Sequence, residues 1–208
     1  MRAMDFSANK CYPLVMPNLN DNDPRRRLDV RSGASINISN SRIFVFGGCV
    51  FELDLPANFK LDTIHKAFVD GIKKTENIED VCGINFNQYL SSECFRLSLI
   101  NRKWHHYDIA EGSDKPPTRM FHNMIIYNNC IYISGGLRFN EENNLVVLND
   151  LWRFNLFEKS WRCYYKNNND RILKRYDHLS AAFSEMELFD KSLVNPGICI
   201  VGGMSAED

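Results

Sequence analysis

Three segments of this sequence open with an arginine and run to a pair of adjacent glycines, and the first two segments end on a tryptophan. In the second and third segments a histidine follows the arginine by three positions, where the first segment has Ala34. The recurring residues are Arg31, Gly47, Gly48 and Trp104, then Arg119, His122, Gly135, Gly136, Asp150, Trp152 and Trp161, then Arg175, His178, Gly202 and Gly203. A chain that repeats one pattern folds as a row of similar units, each packed on its neighbour.

The spacing inside the segments supports true internal repeats. Arg31 precedes Gly47 by 16 residues, and Arg119 precedes Gly135 by the same 16. A shift of 57 positions aligns the apolar residues of the first segment with those of the second: Phe95, Leu97, Leu99 and Trp104 fall on Trp152, Phe154, Leu156 and Trp161. The third segment is longer before its glycines, and the extra length falls in a predicted polar hairpin loop at residues 185–196.

An Arg-x-x-His, a double glycine and a tryptophan at a period of roughly 50 residues mark the kelch repeat, one blade of a β-propeller. The predicted fold class is therefore all-β, built from kelch-type propeller blades with a helical insertion in the first blade. Propellers typically have about 4–8 blades, whereas this sequence supplies about two and a half. We expect an incomplete propeller.

Local patterns predict the strands of each blade. Residues 34–39 and 42–46 form a predicted hairpin around Asn40-Ser41, and the second segment repeats it around Asn128-Asn129. Asparagine tolerates the positive φ that two-residue hairpins require. The second strand of each blade is a continuous apolar run, which is typical of a strand covered on both faces. Trp161, on the fourth strand, is predicted to fill the space between blades.

The repeats divide the chain into four parts. These are an irregular segment at 1–30 with a candidate strand at 10–14, kelch repeat 1 at 31–110, kelch repeat 2 at 111–168, and a truncated kelch repeat 3 at 169–208. Repeat 1 carries an insertion at residues 51–90. Apolar residues recur there at helical spacing and predict an amphipathic helix over residues 61–74, namely Leu61, Ile64, Phe68 and Ile72.

Composition narrows the class of protein. The chain has 208 residues, 44% of them hydrophobic, and a net charge of −1, which favours neither nucleic acid nor a membrane surface as partner. No apolar run approaches the roughly 18 residues of a membrane span, and residues 1–10 lack the core of a signal peptide. The seven cysteines form no C-x-x-C, and Cys49, Cys94, Cys130 and Cys199 lie in or beside apolar strands. We expect buried, reduced thiols in a cytoplasmic protein.

Beyond the kelch pattern, the chain resembles the amino-terminal region of the fungal negative regulators of sporulation and meiosis of the Mds–Pmd type. The residues that carry the resemblance are Cys11-Tyr12-Pro13-Leu14, the run from Arg27 to Ala34, Ile43-Phe44-Val45-Phe46-Gly47-Gly48, the run from Arg119 to Met124, and Asn149-Asp150-Leu151-Trp152. The resemblance implies a cytoplasmic regulatory scaffold in nutrient (TOR-linked) and pH signalling that holds down sporulation. Members of this family are much longer, so it also implies a fragment or a shortened product.

No catalytic, cofactor-binding or metal-binding residue is predicted. His122 and His178 occupy the same place in successive repeats, which favours a structural role in which each bonds the backbone of a neighbouring blade. Their arginines are expected to bond an acidic residue near the third strand, such as Asp150 or Glu93. The glycine pairs lack the spacing of a phosphate-binding loop, and the sequence has no G-x-S-x-G nucleophile turn.

The expected partners are signalling proteins, with no role for nucleic acid or a membrane. The candidate contact surface is the loop after the second glycine pair, because partners generally dock on such loops; it comprises Arg138, Phe139, Asn140, Glu141 and Glu142. Self-association that closes the propeller is an open alternative. Two other functions compete with a scaffold, a truncated remnant without independent activity and a kelch substrate adaptor for a ubiquitin ligase.

Overall fold

A computed structural model describes residues 2–5, 10–13, 31–50, 89–101, 103–142, 144–166, 173–184, 186–187 and 193–205. These residues are almost entirely strands, turns and loops, and their sheets are antiparallel, so the predicted all-β class is confirmed. The predicted helix over residues 61–74 lies outside the described residues, as does most of the predicted insertion.

The described residues form eighteen strands. In chain order they are β1 (Arg2–Asp5), β2 (Lys10–Pro13), β3 (Arg31–Ser32), β4 (Ser35–Ser39), β5 (Arg42–Phe46), β6 (Cys49–Val50), β7 (Cys94–Ser98), β8 (Trp104–His106), β9 (Asn123–Tyr127), β10 (Cys130–Ser134), β11 (Leu137–Phe139), β12 (Leu145–Val147), β13 (Asp150–Asn155), β14 (Ser160–Lys166), β15 (Leu179–Phe183), β16 (Met186–Glu187), β17 (Leu193–Val194) and β18 (Gly197–Val201).

Two four-stranded antiparallel sheets share one strand order. Sheet one runs β4-β5-β7-β8, and sheet two runs β9-β10-β13-β14. A two-residue turn joins the first two strands of each sheet, and its residues have positive φ: Asn40 48°, Ser41 57°, Asn128 47° and Asn129 56°. Both predicted hairpins are confirmed, and the asparagines are suited to them because they adopt left-handed backbone at low cost.

Sheet three consists, within the described residues, of β15 paired with β18, so that Leu179 lies opposite Val201. Four shorter strand pairs accompany the three sheets: β1 with β2, β3 with β6, β11 with β12, and β16 with β17. The first of these pairs lies in the amino-terminal segment that was predicted to be irregular, of which residues 14–30 fall outside the described residues. Residues 10–13 form a strand there, as the candidate strand suggested, and β1 supplies its partner.

Sheets one and two pack face to face through a shared apolar core. The first strands of the three sheets are neighbours, with β9 between β4 and β15. Phe44 and Phe46 of sheet one are buried in one cluster with Phe154 and Trp161 of sheet two. Trp161 is only 1% exposed, and its ring centroid lies 5.2 Å from that of Phe46. Burial of such a side chain contributes roughly 1.5–3 kcal/mol or more, and Trp161 fills the space between sheets as predicted.

The cysteine prediction is confirmed in part. Cys49, Cys94 and Cys130 are free and buried, and burial raises the pKa of the Cys49 and Cys94 thiols to about 12. Cys163 and Cys199 were expected to be buried and are exposed: Cys163 lies on the outer strand β14, and β18 pairs with one other strand among the described residues. Along the part of the chain that the structure describes, no helix is long and apolar enough to cross a membrane.

Candidate functional site

The candidate functional site is the row of junctions at which the opening turn of one repeat meets the double glycine of the repeat before it. At junction one, between sheets one and two, the Gly48 N–H donates to the Arg119 carbonyl at 2.8 Å. At junction two, between sheets two and three, the Gly136 N–H donates to the Arg175 carbonyl at 2.9 Å. The same backbone bond therefore ties each sheet to the next.

At both junctions, the first glycine of the pair is required by space as well as by conformation. A Cβ on Gly47 would lie 2.8 Å from the Arg119 carbonyl oxygen, and one on Gly135 would lie 2.3 Å from the Arg175 carbonyl oxygen. Both glycines have positive φ, 63° and 56°, which residues with a Cβ rarely adopt. The glycine pair was predicted to allow a close backbone approach where the chain leaves the second strand. The structure shows that approach at both junctions.

The turns themselves form a second ladder across the three repeats. Gly33, Phe121 and Asp177 stand at equivalent positions, and all three have positive φ, at 66°, 54° and 55°. The Phe121 N–H donates to the Gly33 carbonyl at 2.7 Å, and the Asp177 N–H donates to the Phe121 carbonyl at 2.8 Å. A left-handed conformation costs a bulky residue such as Phe121 about 1–2 kcal/mol. The hydrogen bonds of the ladder therefore hold the chain in this turn against its backbone preference.

The repeated histidines bond serine hydroxyls of the preceding sheet. His122 Nε2 lies 2.6 Å from the Ser35 hydroxyl, and His178 Nε2 lies 2.9 Å from the Ser134 hydroxyl. The prediction that each histidine bonds a neighbouring sheet is confirmed. The predicted bonding partner, a backbone group, is wrong. The glycine and arginine backbone groups already pair with each other at the junction, so the imidazole meets a side chain instead.

Burial holds both imidazoles in the neutral form. Desolvation, with a further contribution from the Arg119 charge, lowers the pKa of His122 well below its ordinary value. Desolvation and the Arg175 charge lower the pKa of His178 to about 4. A neutral imidazole that is 6% or 3% exposed and bonded to a hydroxyl is suited to holding two sheets together.

Arg119 and Asp150 form a buried, two-pronged ion pair inside the second repeat. The two terminal nitrogens of Arg119 each donate to one oxygen of Asp150 at 2.8 Å, and the side chains are 0% and 7% exposed. Arg119 also donates to the Gly135 carbonyl at 2.9 Å, and Trp152 Nε1 donates to Asp150 at 2.7 Å. The predicted partner of Arg119 is the observed one.

The other two opening arginines repeat one bond of that arrangement, the bond to a glycine carbonyl. Arg31 donates to the Gly47 carbonyl at 2.7 Å, and Arg175 donates to the Gly202 carbonyl at 2.9 Å, as Arg119 does to Gly135. The Arg31 guanidinium lies 4.9 Å from the centre of the Phe95 ring, a cation–π contact. Glu93, which the alignment places with Asp150, bonds His106.

The tryptophans of the motif differ in burial. Trp161 is enclosed between sheets, whereas Trp104, on the opposite face of sheet one, is partly buried against a cluster that includes Leu97. Trp152 is partly buried and held by its bond to Asp150. The motif therefore does not place its tryptophans in one common environment.

The predicted contact loop is a hairpin rather than an open loop. Arg138 and Phe139 belong to β11, and Phe139 is turned inward and only 5% exposed, which corrects its assignment to a contact surface. The Asn140 side chain accepts the Glu142 N–H at 3.1 Å and fixes the tip of the hairpin. Of the five residues, Glu141 and Glu142 are the exposed ones.

A cavity of about 620 Å³ opens beside this hairpin, and we call it the basic cavity. Four cationic side chains line it: Lys115, Arg138, Lys166 and Lys174. Sequence analysis singled out only Arg138 of the four. The lysines come from three separate loops and strand ends, so no local motif marks them, and the fold alone brings them together.

No metal-binding constellation occurs in the described ranges, where no three His, Cys, Asp or Glu side chains converge. His105 and His106 alternate along β8, with His106 bonded to Glu93 and His105 exposed. The geometry of the motif residues is that of contacts between sheets.

Known proteins resemble this chain as follows. The negative regulator of sporulation MDS3 of Candida albicans is 32% identical over 206 residues, which are 95% of this chain and 14% of that protein. The negative regulator of sporulation PMD1 of Saccharomyces cerevisiae is 27% identical over 226 residues, which are 100% of this chain and 12% of that protein. The chain is thus homologous, over most of its own length, to a small part of these fungal regulators.

Family models and solved structures give little further information about this chain. No protein-family model matches the chain. The solved structure of YjhT aligns with 73% of this chain and 31% of its own, at 14% identity and a TM-score of 0.42.

Proposed function

We propose that this chain forms kelch-type blades of a β-propeller and serves as a non-enzymatic protein-interaction scaffold within a cytoplasmic negative regulator of sporulation and meiosis. The observation that carries the proposal is the 32% identity to the Candida albicans regulator over 95% of the chain. Because the chain spans 14% of that protein, the proposal assigns it one module of the regulator.

Three structural features favour propeller blades. Sheets one and two have the same order of four antiparallel strands. Their first strands lie side by side, and β15 of sheet three continues the row. The bonds of the Arg-x-x-His turn to the double glycine recur at both junctions. Blades arranged around an axis have this relation, with their first strands innermost and the same contact between successive blades.

A scaffold fits the use of the motif residues better than an enzyme does. The buried Arg119 bonds Asp150 and a backbone carbonyl, and the buried histidines bond serine hydroxyls of the preceding sheet. The role in nutrient (TOR-linked) and pH signalling is the finer part of the proposal, and it follows from the resemblance to the sporulation regulators.

A chimera tests the proposal. The segment of the Saccharomyces cerevisiae regulator that matches this chain is replaced by residues 1–208, and sporulation is scored in cells that lack their own copy. We expect the chimera to restrain sporulation as the native regulator does. A matched chimera with Arg119→Ala, which breaks the buried ion pair, should lose that restraint.

The scaffold role is read from proteins that co-purify with the chimera. We expect signalling proteins to be retained by the intact chimera and lost with Arg119→Ala. A chimera that accumulates normally but leaves sporulation unrestrained, or that behaves as its Arg119→Ala variant does, would contradict the proposal. Recovery of ubiquitin-ligase subunits as the main partners would favour the adaptor instead.

A further inference from the structure

We propose that the basic cavity binds an acidic peptide segment that carries an apolar side chain beside its carboxylates. The inference rests on the proposed scaffold function and names the chemistry of a partner. It is carried by three features of the cavity: its charge, a buried donor without an acceptor, and an apolar wall held in place by a hydrogen bond.

The charge of the cavity is strongly one-sided. Lys115, Lys166, Lys174 and Arg138 line it, and among the described residues the carboxylate in its lining is that of Asp150. Arg119 neutralises this carboxylate through two hydrogen bonds of 2.8 Å each. Cationic side chains therefore outnumber carboxylates in the described lining, in a chain whose net charge is −1, and such a local concentration attracts carboxylates.

Arg138 supplies an observation independent of the charge count. Its Nε is buried and has no hydrogen-bond partner among the described residues. A buried donor without an acceptor costs stability. The guanidinium that carries this donor lines the cavity, where its other N–H groups can donate charge-assisted bonds to an incoming carboxylate. Arg138 sits on β11, and a residue on a paired strand is held more rigidly than one on an open loop.

Part of the cavity lining is apolar. Val146, Leu148 and Trp152 contribute to it, and the Trp152 indole is fixed by the bond from its Nε1 to Asp150 at 2.7 Å. A fixed aromatic side chain offers contact area at little cost in conformational entropy. The volume of about 620 Å³ falls within the range of roughly 300–1,000 Å³ typical of ligand pockets.

A peptide fits these features better than a nucleic acid. Nucleic-acid binding needs a basic surface that follows many phosphates, and sites for single strands add several stacking aromatic rings. Here the cations converge on one cavity, and the described part of its lining holds one aromatic ring, that of Trp152, whose N–H is already bonded.

The test uses the 208-residue chain and fluorescein-labelled eight-residue peptides, followed by fluorescence anisotropy. One peptide alternates glutamate with leucine, and its partner has glutamine in place of glutamate. We expect saturable binding of the glutamate peptide that weakens as salt is raised, and at least tenfold weaker binding of the glutamine peptide.

The charge-reversed variant Lys115→Glu/Lys166→Glu should bind the glutamate peptide at least tenfold more weakly. Both lysines are exposed, so the fold should tolerate the change, and a thermal melt verifies this. The control Lys103→Glu/Lys159→Glu makes the same change in net charge at exposed lysines that do not line the cavity, and should bind as the unaltered chain does.

Several results would overturn the proposal: equal binding of the two peptides, an equal loss in the control variant, or no saturable binding at low salt. Displacement of the peptide by a single-stranded oligothymidylate at lower concentration would assign the cavity to phosphates instead. A chimera that fails to restrain sporulation while the chain binds the glutamate peptide would overturn only the proposed function.

Discussion

Junctions one and two share their backbone bonds but differ in what fills the space beyond them. At junction one, Phe46 is 0% exposed and packs against Trp161 and Phe154 in a continuous core. At junction two, Ser134 takes the position of Phe46, and an apolar cleft of about 450 Å³ opens between the sheets, lined by residues that include Tyr132 and Ile198. The comparison shows that the turn sets how closely the sheets approach, while aromatic side chains from the third and fourth strands fill the interface.

Sheets one and three, at the two ends of the row of described sheets, also differ in how well equivalent residues are buried. Val201 of sheet three holds the position of Ser134 and Phe46, and it is 62% exposed. Gly202 corresponds to Gly135, but an added Cβ there would meet no described atom within 4 Å. Among the described residues, Gly135 is thus constrained by the turn packed against it, and Gly202 is constrained by its backbone conformation alone.

Loss of Arg119 should give the largest effect on stability. Arg119→Met leaves the Asp150 carboxylate buried without its ion-pair partner, and breaking such a pair costs about 3–5 kcal/mol. Urea unfolding followed by tryptophan fluorescence measures the loss. The double variant Arg119→Met/Asp150→Asn should recover part of it, because the buried charge is gone. A loss below about 1 kcal/mol in the single variant would contradict the structure.

A pair of glycine variants tests the junction directly. Gly135→Ala introduces a Cβ 2.3 Å from the Arg175 carbonyl oxygen, at φ +56°. Overpacking costs about 1–3 kcal/mol and left-handed backbone about 1–2 kcal/mol, so we expect a loss of about 3 kcal/mol. Gly202→Ala has the backbone cost alone and should lose about 1 kcal/mol. Equal losses in the two variants would show that the contact with Arg175 is not a constraint.

Acid should weaken the junctions through their histidines. The pKa of His178 is about 4 in the folded chain, against about 6.5 for an ordinary histidine. Between these values the unfolded chain binds more protons, so the free energy of unfolding falls as the pH is lowered from about 6.5 to 4. His178→Gln should show a shallower fall in urea midpoint over this range. The exposed His105→Gln control should keep the original slope, and an unchanged slope in His178→Gln would contradict the mechanism.

The smallest effect is expected at the exposed face of sheet three. Val201→Thr changes a side chain that is 62% exposed and should alter the free energy of unfolding by less than about 0.5 kcal/mol. The same change at Val45, on the corresponding strand of sheet one and 5% exposed, places a hydroxyl in the core and should cost about 1–3 kcal/mol. Equal effects at the two positions would mean that something covers Val201 in solution.

Sequence reasoning reached the parts of the fold that are encoded locally. Asn40 and Asn128 marked the hairpins, because few residues accept positive φ, and the apolar run before Gly47 marked a strand covered on both faces. The bond between Arg119 and Asp150 could be predicted in kind, since the arginine recurs at a motif position and an acidic residue, Asp150 or Glu93, lies near the start of the third strand of each of the first two repeats.

The remaining features depend on contacts between distant segments. The exposure of Cys199 follows from the number of strands around β18, which the apolar pattern of that strand does not reveal. The basic cavity brings Lys115, Lys166 and Lys174 together with Arg138 from separate elements. The sequence around a single surface lysine does not indicate which residues lie near it in the fold. The serines that bond the histidines were not predicted, because neither serine recurs at its own position in the alignment of the repeats.

Those serines bear on how related repeats can be recognised in other sequences. Ser35 lies opposite Phe46 in sheet one, and Ser134 lies opposite Asn123 in sheet two, so the hydroxyl occupies the same cross-strand pair from opposite strands. A profile that scores each alignment column alone sets serine against asparagine in one column and phenylalanine against serine in the other. A profile that scores the two columns jointly finds one hydroxyl in each of the first two repeats, bonded to the histidine of the repeat that follows.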